Sequence, residues 1–143
     1  MDFGGGGVKF FYIVMNKQVI TLNDVATPPS PFNHVVAAGG FLFLSSQLSV
    51  NLKTNQLQIG DIKQQTDLAL KNIQQLLNRS GASMENIVRV VIYMRDVKRD
   101  FEAMNSVYKK YFLRGHEPAR TTVQAPSPLD GIDIEIEVTA FVG

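Results

Sequence analysis

At 143 residues, 45% hydrophobic and 19% charged, the chain has the size and balance of one globular domain. A formal net charge of +1 argues against a surface that tracks nucleic-acid phosphates, which needs clustered excess basic charge. With no cysteine, disulfides, thiolate-bound zinc and a cysteine nucleophile are excluded, and two histidines, His34 and His116, are too few for a histidine-rich metal centre.

The chain begins with a glycine run, Gly4 to Gly7, and a short apolar stretch, Val8 to Met15. That stretch is too short to cross a bilayer, and its flanks do not resemble a secretory signal. The glycines lack the Lys-Ser/Thr ending of a phosphate-binding loop. Residues 1–14 therefore read as a flexible extension or expression remnant, ahead of one domain over residues 15–143. The lack of cysteine also suits a cytoplasmic protein.

Lys17 to Leu22 is a short β-branched run and predicts a first strand. Asn23 to Pro31, with three prolines, predicts a loop. His34 to Ala38 and Phe41 to Ser45 are apolar runs around Gly39-Gly40, the spacing and chemistry of a two-residue hairpin. Asn51 to Gly60 is polar and turn-rich. From Asp61 to Ser80-Gly81 the apolar residues recur at helical spacing: Ile62, Thr66, Ala69, Ile73, Leu76 and Leu77. Asn86 to Met94 predicts a strand. A second amphipathic helix is expected from about Asp100 to Leu113, with Phe101, Met104, Tyr108, Tyr111 and Phe112 on its apolar side, closed by Gly115 and Pro118.

Two strands around a proline-rich turn end the chain. In the last, Ile132, Ile134, Ile136, Val138 and Ala140 alternate with Asp133, Glu135, Glu137 and Thr139, so one face is apolar and the other acidic. Such an acidic stripe needs water, a cation or an interface. The order β-β-β-α-β-α-β-β predicts an α+β domain, a mixed sheet with both helices on one face. Arg120 and Glu135 stand out on what read as neighbouring strands, where a guanidinium fork and a carboxylate would hold a small anion and act on it.

Four short pieces recur in order along the chain: Ser45-Ser46-Gln47 after the hairpin; Asp100-Phe101 with Asn105 and Tyr108; Pro118-Ala119-Arg120; and Ile134-Glu135-Ile136-Glu137-Val138. Each is weak alone. Together they make the chain, from Met15 onward, resemble the RidA/YjgF family of reactive-intermediate deaminases. The resemblance implies a chorismate-mutase-like fold and a homotrimer with three clefts between subunits. It also implies hydrolysis of 2-imino and enamine acids, released by pyridoxal-phosphate enzymes, to 2-oxo acids and ammonia, with no metal or organic cofactor.

On this resemblance Arg120 matches the arginine that grips the substrate carboxylate, a role suited to a planar, permanently charged fork. A structural ion pair with the acidic last strand is the other reading of Arg120. Glu135 matches the glutamate that positions the attacking water; Glu137, two positions on, is the alternative carboxylate. Ser45 matches a substrate-binding serine in the cleft and is no nucleophile, since no histidine stands in a triad arrangement. Asn105 matches an asparagine near the site.

Three positions depart from the family pattern. Phe32 replaces a tyrosine, keeping an aromatic wall without its hydroxyl. Ser46 stands where glycine is common, and Thr122 where a cysteine is frequent. These departures bear on substrate range and on activity. Phe32 and Ser46 favour a second reading, a non-catalytic metabolite-binding or regulatory trimer.

Some family members have been described as ribonucleases or translation inhibitors. The cluster Arg95, Lys98, Arg99, Lys109, Lys110 and Arg114 would serve RNA binding, but reads more simply as a solvated helix face. His116 beside Glu117 reads as an ordinary loop histidine. Tyr108, Tyr111 and Phe112 read as core or subunit contact.

Overall fold

The computed structural model describes residues 16–143, so the glycine run, the apolar stretch and the expected boundary after residue 14 lie outside the described residues. Strands β1 (Gln18–Val19), β2 (Val35–Ala38), β3 (Phe41–Gln47), β4 (Ile87–Met94), β5 (Ala119–Gln124) and β6 (Ile134–Phe141) form one sheet in the order β1-β2-β3-β6-β4-β5. Only β4 and β5 run parallel; every other neighbouring pair is antiparallel. Helices α1 (Ile62–Arg79) and α2 (Val97–Tyr108) complete the β-β-β-α-β-α-β-β order.

Local chemistry sets the helix ends. Asp61 begins α1 with a reciprocal capping box: its carboxylate accepts from the Gln64 amide at 2.8 Å, while the Gln64 side chain accepts from the Asp61 amide at 2.9 Å. The second helix starts three residues earlier than expected, because Asp96 rather than Asp100 caps it, accepting from the Arg99 amide at 3.0 Å. Its end tightens into a 3₁₀ turn at Lys109–Tyr111. A similar turn at Met84–Asn86 precedes β4. The first strand shrinks to two paired residues, although the Ile20 amide still bonds the Val35 carbonyl at 3.1 Å. The last begins at Ile134, two residues after the first expected position, with Ile132 buried just ahead of it.

The core lies between one sheet face and the helices. Val90, Ile92, Ile134 and Ile136 of the sheet meet Leu70, Ile73 and Leu77 of α1 and Met104 of α2. Among the described residues no helix is long and apolar enough to cross a membrane.

The other sheet face carries Phe41, Phe43 and Phe141, packed as tilted rings with centroids 5.1 and 6.1 Å apart yet 37–47% exposed. Two bulges bend this sheet. In β3, Leu44 pairs with Val138 and Gln47 with Ile136, so Ser45 and Ser46 together span the single position of Glu137. In β4, Val88 is the extra residue between Ile87 and Arg89.

Candidate functional site

The β3 bulge opens a cavity of about 510 Å³ on the sheet face away from the helices. Ser45, Ser46, Glu135 and Glu137 form its floor; Phe32 and His34 close one side and Pro128 and Leu129 another. The two carboxylates alternate with buried Ile134, Ile136 and Val138, and the strand's two-residue period puts both on this face.

The hydroxyl groups of the floor have different partners. Ser45 Oγ donates to the Asn33 carbonyl at 2.7 Å, and the Ser45 amide donates to the His34 carbonyl at 3.0 Å. Ser46 Oγ donates to Glu135 Oε1 at 2.8 Å. Glu137 Oε1 instead accepts from the Tyr93 hydroxyl at 3.3 Å. Burial first, then the Glu137 carboxylate beside it, pushes the Tyr93 phenol above its ordinary pKa.

The walls are held by polar clamps. Phe32 meets His34 edge to face at 6.0 Å. His34 Nδ1 lies 3.4 Å from Nε2 of Gln47, which is itself buried, and His34 Nε2 is buried with no hydrogen-bond partner among the described residues. Burial holds this imidazole below its usual pKa, and the Ala26 backbone offsets only part of that. Arg95 Nη2 donates to the carbonyls of Ser127, Leu129 and Ile132 at 3.1–3.4 Å, which fixes the loop carrying Pro128 and Leu129.

Arg120 sits elsewhere. In β5 it pairs with Val90, and Thr122 pairs with Ile92, so both project to the helix side of the sheet. There Arg120 Nη1 donates to Asn105 Oδ1 at 2.7 Å. Its guanidinium lies 4.7 Å from the Tyr108 ring and 5.7 Å from that of Phe101. The Tyr108 hydroxyl is buried without a partner among the described residues, and burial pushes its pKa up to about 12.

Two expectations change. Arg120 and Glu135 are not on neighbouring strands, because β4 lies between β5 and β6. Nor does Arg120 pair with the acidic strand: Glu135 registers with Tyr93 on one face, while Arg120 registers with Val90 on the other. Among the described residues no carboxylate forms a salt bridge with Arg120.

The six candidates therefore fall into two groups. Phe32, Ser45 and Glu135 share the cavity, whereas Arg120, Asn105 and Thr122 cluster on or beside β5 and α2. Sequence reasoning missed the Ser46 bond to Glu135 and the Tyr93 bond to Glu137. One signal was present: the apolar alternation of β3 stops after Leu44, where Ser46 rather than a hydrophobic residue follows. Two members of the basic cluster are occupied. Arg95 pairs with Asp133 at 3.3 Å, and Arg99 pairs with Asp100 at 2.7 Å.

The family model described as Endoribonuclease L-PSP matches residues 23–142. A RutC family protein of Pyrococcus horikoshii is 36% identical over 125 residues, covering 87% of this chain and 98% of its own. A 2-iminobutanoate/2-iminopropanoate deaminase of Dermatophagoides farinae is 32% identical over 121 residues, covering 85% and 93%. The crystal structure of a protein of the conserved Rid family from Yersinia pestis superposes with a TM-score of 0.81 at 31% identity, covering 89% of this chain and all of that one.

Proposed function

The chain belongs to the RidA/YjgF/RutC family, and from that premise we propose that it hydrolyses reactive 2-imino and enamine acids to 2-oxo acids and ammonia. Water must reach the imine carbon, and a proton must reach the departing nitrogen. Glu135 suits both duties. With Oε1 occupied by Ser46, its second oxygen is left to accept from the attacking water. Ser45 and Phe32 shape the space beside it.

One observation carries this reading. Arg120 is a guanidinium supported by a neutral amide and aromatic faces, with no carboxylate salt bridge among the described residues. It has the form of a carboxylate receptor. Because it projects from the sheet face opposite Glu135, the two groups meet at one substrate only across copies of the chain. The working unit is then an assembly of copies, and the family resemblance makes that assembly a homotrimer. Arg120, Asn105 and Thr122 of one copy face Phe32, Ser45 and Glu135 of the next. The exposed Phe41, Phe43 and Phe141 cluster supports such an assembly, since a patch of this kind gains from being covered.

Coupling the purified protein to a threonine dehydratase and timing 2-oxobutyrate release tests the reaction. The protein should accelerate release over free hydrolysis. Glu135→Ala should abolish the acceleration while retaining 2-oxobutyrate binding, and Glu137→Ala should leave both turnover and binding unchanged. The reverse pattern would transfer the role to Glu137. The missing Phe32 hydroxyl favours a second reading, a regulator that binds a metabolite in the same clefts. Intact ligand binding without acceleration by the native chain would select it. RNA cleavage has less support, because Arg95 and Arg99 already pair with Asp133 and Asp100.

A further inference from the structure

The bulge in β3 gives the two carboxylates of β6 different surroundings. In a regular strand Ser46 would follow Leu42 and Leu44 onto the core face. The extra residue keeps Ser46 on the cavity side and turns Gln47 inward, where it is 2% exposed. Ser46 Oγ thereby reaches Glu135 Oε1 at 2.8 Å. Ser45 cannot take its place, because its hydroxyl already donates to the Asn33 carbonyl. Tyr93 serves Glu137 instead, at the longer distance of 3.3 Å.

We propose that Ser46 is a positioning residue that locks the Glu135 carboxylate in one orientation, with Oε1 tied to β3 and Oε2 turned to the cavity. The inference rests on the deaminase reading of Glu135. Its physical basis is that a glutamate has three side-chain torsions, the last of them broad, so an untethered carboxylate samples many orientations. A bond from a hydroxyl to an ionised carboxylate is among the stronger hydrogen bonds and restricts that sampling. A carboxylate already set for the transition state spends nothing on reorganisation when water attacks. Glycine, which the family resemblance places here more commonly, has no hydroxyl to give. The lock is therefore a property of this chain's own residue.

The test compares the native protein with Ser46→Ala and Ser46→Thr, using an imine generated in the assay and calorimetry with 2-oxobutyrate. Ser46→Ala should lower kcat and kcat/KM together by about tenfold, because the lost contact acts on the transition state. Its affinity for 2-oxobutyrate should stay within about twofold of native, since Ser46 does not hold the ligand. Ser46→Thr keeps the hydroxyl and should return kcat to within about threefold of native.

A crystal structure of Ser46→Ala gives a readout independent of turnover: the Glu135 side chain should occupy more than one rotamer. Native kcat in Ser46→Ala, or a single unchanged Glu135 rotamer, overturns the proposal. So does a Ser46→Thr protein as slow as Ser46→Ala. If the native protein proves inactive while the alanine variant still frees the Glu135 rotamer, the deaminase reading falls and the positioning contact stands.

Discussion

Arg120→Ala and Glu135→Gln should each be nearly inactive alone, yet active when the two variant chains assemble together. The reasoning is geometric. Within one protomer Arg120 lies in register with Val90, facing the helices, and Glu135 in register with Tyr93, facing the cavity. No molecule the size of a 2-imino acid touches both through a packed sheet. In the proposed closed ring of three, each cleft takes its arginine from one copy and its glutamate from the next.

The magnitudes follow from that arrangement. Loss of a charged, hydrogen-bonded partner for the substrate carboxylate costs about 3 kcal/mol, roughly a hundredfold in affinity. Rings made only of Arg120→Ala chains should therefore be close to silent at low substrate concentration. Any mixed ring, whether two-to-one or one-to-two, contains about one cleft in three in which both residues are intact. Co-expression with two different tags, tandem purification and native mass spectrometry isolate such rings, and timed 2-oxobutyrate release measures them. About a third of native activity is expected. Mixed rings no more active than their parents would refute the shared cleft, as would a protein that sediments as a monomer.

Two further predictions concern stability. His34 is held below its ordinary pKa of 6.5 mainly by burial, so below that pH the unfolded chain binds more protons than the folded one. Stability should therefore decline as pH falls from about 6.5 to the depressed folded value, and the His34→Gln protein should lose that slope; urea midpoints at several pH values check it, and an unchanged slope would rule His34 out. Asp61→Ala removes the carboxylate half of the α1 capping box and should cost about 1 kcal/mol, a fall in Tm of roughly 3 °C. A calorimetric scan reads this, and a loss of ligand affinity would show that α1 supports the site more directly than its capping role implies.

Element order and type were legible because they rest on local patterns. The α1 period, the Gly39-Gly40 turn and the β6 alternation each survive without tertiary information. Boundaries were less legible where two candidate caps compete. Asp96 and Asp100 both precede apolar helical positions, and the selection of Asp96 follows from its extended backbone and its bond to the Arg99 amide. Asp100 is instead buried against Arg99. β1 was over-extended because β-branched residues predict strand propensity, whereas pairing needs a partner edge, and β2 offers only four residues.

The site was half legible for a similar reason. The face of Glu135 follows from alternation within β6 alone. The face of Arg120 depends on which strand lies beside β5 and on the parallel register that joins them, and neither is written in nearby residues. The insertion of β4 between β5 and β6 turned an apparent arginine–glutamate pair on adjacent strands into two groups on opposite faces. The acidic stripe leads to the same conclusion from its own side. Like charges on a strand face call for water, a cation or an interface. Here the donors are the neutral hydroxyls of Ser46 and Tyr93, while Arg89, a cation on that face, turns its guanidinium to Thr121. A pair of carboxylates whose only side-chain donors are neutral still attracts positive charge. In the proposed assembly a neighbouring copy's Arg120, with a substrate between them, supplies that charge.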